Sequence, residues 1–382
     1  MNNNKLLAIV IALFISGIVI LNYDQETINE AARKYDIFAT TDSLSAELLQ
    51  DQFDYFVSKN RKSYETFGEY QKRYQTFTEN FKFIETHNKD SDVKGFTLAI
   101  NKFGDLTDDE FADKYLGSKV PLENMGQISY KKQQNSNPFE QMIKETATEQ
   151  AIKDLQIPGS IDWRAKGAVT PVGDQGECGS CWAFSAIAAI EGANYIANKV
   201  GDELSEQQLI DCADERFGNN GCQGGFVHGA FQYAMKQDLC IEEDYPYTGK
   251  DEKCTDWWSC STKNILTGYK NVTAGSRVEL FSAIAKGPVS IGVDAGSKEF
   301  RFYSSGIFSE GCDENVNHGV AAVGYSYESF LFFWRNNYIT IKNSWSADWG
   351  EKGFMRLSAN NEEGNGFCGS FLFSLYPIIK KQ

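Results

Sequence analysis

With 382 residues, 42% hydrophobic and 14% aromatic, the chain can bury a large core in two or three domains, which excludes a disordered protein. Its net charge of −15 and the lack of any basic stripe argue against nucleic acid as a partner. Residues 157–382 carry 28 Asp/Glu against 19 Lys/Arg and residues 1–156 carry 24 against 18, so the acidity reads as a solvated surface spread over both halves.

In chain order, a polar, once-charged start leads into the apolar run Leu6–Leu21, placing a signal peptide or signal anchor at 1–21. Either one puts the remainder in the secretory pathway, where disulfides persist. Residues 22–50 form a polar extension. From Phe53 to Asn88 the pattern is helical, with Phe53, Phe56 and Val57, then Tyr70, Tyr74, Phe77, Phe81 and Ile84 recurring at helical steps. Glu69, Arg73, Phe77, Asn80, Ile84 and Asn88 fall at offsets of 4, 4, 3, 4 and 4, nearly one stripe. By itself such a stripe reads as ordinary packing. Thr97–Ile100 reads as a short strand, and Thr107-Asp108-Asp109-Glu110 as a capping box opening a helix. Residues 116–156 are Gln/Asn/Lys/Glu-rich, an exposed linker open to proteolytic nicking.

A second, aromatic-rich domain spans 157–382 and holds all nine cysteines, an odd number that leaves at least one thiol free. Its opening helix is expected over 181–198, with another starting at 204–209. Strands are expected at 289–293, 320–325, 338–342 and 353–357. Helices first and strands second suggest an α+β fold of two lobes around a cleft.

The chemistry concentrates at Gln175-Gly176-Glu177-Cys178-Gly179-Ser180-Cys181-Trp182, where a polar turn feeds an apolar helix capped by Ser180 or a near neighbour. A cysteine there feels the positive end of the helix dipole, which favours thiolate. Only three histidines could act as its base. His87 lies in the N-terminal helical region and His228 on a surface helix, whereas His318 stands at a strand end facing a cleft. Asn343, followed by Ser344 and the shielding Trp345, can orient the His318 ring. A redox Cys-x-x-Cys would need a βαβ context, and a zinc site would need a second ligand pair; neither is present in the sequence.

The segment 175–185, with Asn317-His318-Gly319 and Lys342–Gly350, resembles the papain family of cysteine proteases, near cathepsin L. The stripe Glu69, Arg73, Phe77, Asn80, Ile84, Asn88 fits the family's ERFNIN prosegment pattern. Asn101, Phe103 and Asp105 fit the accompanying pattern, with Ala99 in place of its glycine. The stripe is then better read as part of an inhibitory prodomain, residues 51–115.

The resemblance implies a papain-like α+β fold with a helical lobe and a β-barrel-like lobe. It further implies an endopeptidase made as a zymogen that needs no metal or cofactor. Cys181 would be the nucleophile, His318 its ion-pair partner, Asn343 the orienting group and Gln175 an oxyanion donor. It implies the disulfides Cys178–Cys222, Cys212–Cys254 and Cys312–Cys368; Cys240 and Cys260 are then expected to pair as a fourth. Substrate would contact Gly224, Gly225, Phe226, Val227, Gly292, Val316, Asn317, Gly319, Trp345 and Phe373. The apolar pocket for the second residue upstream of the cut favours Leu, Val or Met over Arg. Asn317 replaces the aspartate usual before the histidine, and residues 327–334 look inserted. Partners would be protein or peptide substrates and the chain's own prosegment, with no membrane contact unless the N-terminal segment stays uncleaved. A monomer is expected, in a lysosome- or vacuole-like compartment or outside the cell. Asn271 heads the one glycosylation sequon noted. A non-enzymatic peptide-binding member of the fold is the alternative, although it would typically lack the cysteine or histidine.

Overall fold

The computed structural model describes residues 46–117, 151, 155–255, 260, 265–327, 337–360 and 364–381. The apolar segment 1–21, the extension up to residue 45, most of the linker and residues 328–334 of the expected insertion lie outside them. Among the described residues no helix is long and apolar enough to cross a membrane.

The helical pattern from Phe53 to Asn88 falls on two helices. Helix α1 (Ala46–Lys59) buries Leu49, Phe53 and Phe56, and its Phe53 and Phe56 rings stack at 6.1 Å. The chain then turns through Arg61, at a left-handed φ of 52°. Helix α2 (Phe67–Asn88) restarts at Thr66, whose hydroxyl accepts from the Glu69 N–H. Glu69 in turn accepts from the Glu65 N–H at 3.0 Å. This Thr66-x-x-Glu69 pairing is the stop-and-start signal that the hydrophobic periodicity concealed.

A one-turn helix, α3 (Ser91–Lys94), ends on Gly95 at φ 78° and delivers the chain to strand β1 (Phe96–Leu98). Helix α4 (Asp108–Tyr115) begins with the expected capping box, formed by Thr107 and Glu110. The cysteine-bearing domain adds β2 (Ser160–Asp162), the long α5 (Cys181–Asn198), α6 (Glu206–Cys212) and α7 (Val227–Ala234). Beyond these come β3 (Leu266–Asn271), α8 (Arg277–Ile284), β4 (Val289–Val293), α9 (Lys298–Arg301) and β5 (Tyr303–Phe308). The last strands are β6 (His318–Ser326), β7 (Tyr338–Lys342), β8 (Phe354–Ser358) and β9 (Ser374–Ile379).

The sheet runs β1-β5-β8-β7-β6-β4-β9-β3, with β2 paired to β6. Among the described strands only β5 and β8 pair in parallel. Two apolar cores form, one around α5, α6 and α7, the other among the strands. The strand core also takes in Ile84, Phe96, Leu98, Phe103, Leu106, Phe111 and Tyr115 from the N-terminal segment. Strand β1 pairs antiparallel with β5, so that segment extends the sheet of the domain it covers. Four disulfides close: Cys178–Cys222, Cys212–Cys254, Cys240–Cys260 and Cys312–Cys368. Cys181 stays free and buried.

Candidate active site

Helix α5 begins at Cys181 because the loop before it is stapled twice. Cys178 is bridged to Cys222, and the Gly179 N–H donates to the Cys222 carbonyl at 2.8 Å. A Cβ on Gly179 would stand 2.5 Å from that carbonyl, so only glycine fits. The expected hydroxyl cap is absent. Ser180 sits at φ −91°, ψ 13° and makes no side-chain cap, since this conformation does not aim the hydroxyl at the helix. Its hydroxyl instead meets the Tyr247 hydroxyl at 2.8 Å, and Tyr247 donates to the Gln175 carbonyl at 2.7 Å.

Antiparallel strands bring the other candidates to the same place. His318 opens β6 opposite Val293, and Asn343 directly follows β7, two strands that pair through Ala321 and Lys342. The His318 Nε2 lies 2.8 Å from the Asn343 Oδ1. Because that oxygen can only accept, Nε2 carries the proton in a neutral ring and Nδ1 is left as the base. Nδ1 is buried with no hydrogen-bond partner among the described residues. Trp345 packs on the imidazole at 4.7 Å and walls the pair from water. The next residue, Gly319, packs against the Cys181 backbone: a Cβ there would lie 3.1 Å from the Cys181 carbonyl.

Gln175 is tied to the Asn343 side of the site. Its N–H donates to the Ser344 carbonyl at 2.8 Å, and its Oε1 accepts from the Ser344 hydroxyl at 2.6 Å. That bond fixes the amide so that Nε2 faces the Cys178 carbonyl at 2.8 Å and the Tyr115 carbonyl at 3.1 Å. Ser344 and Tyr247 are thus supporting residues that sequence reading missed. Ser344 had adjacency to Asn343 as a signal; Tyr247 had none.

The N-terminal segment fills the cleft. Gly117 accepts from the Gly225 N–H at 3.0 Å and lies against Gly179, two residues before Cys181. A side chain on Gly117 would collide with Gly179, and one on Gly224, at φ 106°, with Gly117. So covered, both side chains are pushed toward their neutral forms. Burial pushes the Cys181 thiol up against the pull of the Gly319 and Gly117 amides. Burial also takes His318 down to about 4, although its bond to Asn343 opposes the shift.

The residues expected to line the substrate pocket come from α7, β4, β6 and the turns beside them. Gly292 and Gly319 face each other across β4 and β6. A Cβ on Gly292 would stand 2.5 Å from Val316 and 3.5 Å from Phe373. Across the cleft, Val227 is buried, and the half-buried Phe226 stacks on His228 at 5.3 Å. Asn317 donates to Asp294 at 2.8 Å and accepts from the Ala295 N–H at 2.9 Å. A carboxylate therefore stands next to the position that lacks one. Asn271 is exposed at the end of β3.

The stripe on α2 holds the covering segment in shape. Arg73 bonds Glu110 at 2.6 Å and the Asp105 carbonyl at 3.1 Å. Asn80 donates to the Gly104 and Leu106 carbonyls, while Asn88 brackets both backbone groups of Leu98. Phe77 and Ile84 are buried, and Asp105 accepts from Lys62 and Tyr64. Phe103 meets Phe111, Tyr115 and Trp345 edge-on, with centroids 4.7 to 5.3 Å away. Asn101 donates to the Arg301 carbonyl at 2.8 Å. Arg301, buried and unsuspected from the sequence, returns a bond to Asp108 at 2.7 Å.

Residues 157–377 match the family described as papain family cysteine protease, and residues 53–111 match the cathepsin propeptide inhibitor domain. Vignain of Vigna mungo is 38% identical over 348 residues, covering 91% of this chain and 90% of that protein. Chymopapain of Carica papaya is 38% identical over 341 residues, covering 89% and 90%. Among solved structures, the ragweed pollen cysteine protease Amb a 11 in its proform superposes with a TM-score of 0.73 at 30% identity, covering 95% of this chain and all of that one. A recombinant stem bromelain precursor gives 0.71 at 32% identity, covering 87% and 99%.

Proposed function

Because the chain belongs to the papain family of cysteine proteases and carries its propeptide inhibitor domain, we propose that its zymogen chemistry runs through Cys181, His318, Asn343 and Gln175. Once the cleft is uncovered, water and substrate dipoles reverse the burial that holds the two groups neutral, and the Cys181 proton passes to His318 Nδ1. The thiolate attacks the peptide carbonyl. The developing oxyanion takes hydrogen bonds from Gln175 Nε2 and the Cys181 N–H. His318 then protonates the departing amine, and later draws a proton from the water that hydrolyses the thioester. Asn343 keeps the ring in the required tautomer throughout.

One observation carries this reading: a peptide carbonyl, that of Tyr115, already sits 3.1 Å from Gln175 Nε2 while Gly117 is held against Gly179 and Gly225 beside Cys181. The prosegment occupies the place where a substrate peptide would lie. Matured protein should cleave an apolar peptide, and Cys181→Ser and His318→Ala should each abolish cleavage. Retention of full activity by Cys181→Ser refutes the mechanism.

The pocket formed by Phe226, Val227, Gly292, Val316, Gly319 and Phe373 has no acidic floor, which supports Leu, Val or Met over Arg at the second residue upstream of the cut. A peptide series in which Arg outperforms Leu there overturns that preference. In this reading residues 51–115 are the prodomain, 116–156 the activation linker and 157–382 the peptidase. The enzyme works as a monomer in an acidic secretory-pathway compartment or outside the cell, with Asn271 free to carry a glycan. Membrane attachment would depend on the fate of residues 1–21.

A further inference from the structure

The prosegment also reports on side-chain preference, through two ion pairs beside Gln175. Lys102 Nζ bonds Asp174 at 2.5 Å, and Lys114 Nζ bonds Glu177 at 2.9 Å. Asp174 is fixed: it bridges backbone to Trp345, and its Oδ1 also accepts from the Gly176 N–H at 3.0 Å. Asp348, on the turn after Trp345, adds its field at Lys102.

The order of contacts tells which side of the cleft this is. Going along the prosegment, Lys114 meets Glu177, the Tyr115 carbonyl meets Gln175, and the Gly117 carbonyl meets Gly225. Under the function proposed above, a substrate places its scissile carbonyl at Gln175 and its acyl portion at Gly225. Glu177 and Asp174 therefore lie beyond Gln175, on the leaving-group side. Maturation takes both lysines away and leaves the two carboxylates facing whatever peptide follows the cut.

We infer that Asp174 and Glu177 make the leaving-group side of the matured cleft select substrates with Lys or Arg among the first residues after the scissile bond. This rests on the papain-type reading of Cys181 and Gln175. Exposed pairs of this kind contribute modestly, so a selectivity of about 3- to 10-fold for two of them is expected at low salt.

The test uses matured enzyme and internally quenched peptides that share one apolar acyl half and carry Lys, Ala or Glu at the three positions after the cut. Lys peptides should exceed Glu peptides in kcat/KM by about 3- to 10-fold in 20 mM salt, falling toward parity in 1 M NaCl. The ratio should also collapse in Asp174→Asn/Glu177→Gln. Glu177→Gln alone, at a side chain that is 61% exposed, gives a partial collapse without risk to folding. Parity in wild type at low salt, or an undiminished ratio in the double variant, overturns the inference. If the Ala peptide is still cleaved in either event, the protease reading stands; if wild type cleaves none of the peptides, both fall.

Discussion

Phe103→Ala is the substitution that weakens the prosegment's hold on the cleft most directly. Phe103 is fully buried, with its ring edge-on to Phe111 at 5.1 Å, Tyr115 at 4.7 Å and Trp345 at 5.3 Å. Truncating such a side chain costs about 3–5 kcal/mol, the lost transfer energy plus a cavity that the surrounding rings cannot fill. The cost to docking depends on what lift-off exposes. If the prosegment kept its own packing when lifted, only the Trp345 contact would count, roughly 1 kcal/mol. Its residues share one core with the strands, however, and lifting it opens that core. The larger figure therefore applies, and the open fraction should rise by about 10²-fold or more, at 1.4 kcal/mol per decade. The assay is the alkylation rate of Cys181, the free thiol, in full-length protein carrying His318→Ala to prevent self-processing. A buried thiol reacts only from the open state, so the rate follows the opening equilibrium. A change below about threefold would mean that the aromatic cluster does not hold the prosegment down.

Gln175→Ala should lower kcat by about 10²–10³ with little change in KM, because in the proposed mechanism the lost amide acts on the oxyanion. Steady-state kinetics on matured protein decide this. Burial, and then the neighbouring Lys94, hold His87 below its ordinary pKa of 6.5, with Glu310 and Glu299 opposing. The docked form therefore prefers a neutral ring, and the released prosegment takes up protons first. Docking stability from His87 is complete above pH 6.5 and shrinks as pH falls below it. His87→Phe should flatten the rise in maturation rate between pH 7 and 5, as followed on gels; an unchanged slope removes His87 from the trigger. Asn317→Asp would set two carboxylates against each other where Asn317 now donates to Asp294 at 2.8 Å. It should lower Tm at pH 7 and restore it near pH 4, where one acid protonates, as thermal melts would reveal.

The local chemistry was legible wherever one residue type had one use. The Cys181 junction, the capping box at Thr107 and Glu110, and the strand-end placement of His318 and Asn343 follow from propensity and pattern. The break at residues 60–66 was hidden because hydrophobic spacing on either side of it is helical; Thr66 and Glu69 alone marked it. Ser180 looked like a cap by type, but its backbone conformation does not permit one. The α2 stripe illustrates a subtler limit. Phe77 and Ile84 pack as any stripe would, yet Arg73, Asn80 and Asn88 bind a carboxylate and main chain 10 to 37 residues further on, while Glu69 accepts from the turn before its own helix. Periodicity predicts a face and says nothing of what meets it. Arg301, Tyr247 and the lysine pairs at Asp174 and Glu177 depend on contacts far apart in sequence, and no local signal announces them.

In the proposed mechanism one thiol, Cys181, does the chemistry once the prosegment leaves. Titrating matured protein with a thiol-directed epoxide tests it, with peptide cleavage and the labelled residue followed together. One equivalent should silence the enzyme, with the adduct on Cys181, and the covered precursor should react far more slowly. Cleavage that survives full labelling of Cys181 would contradict it.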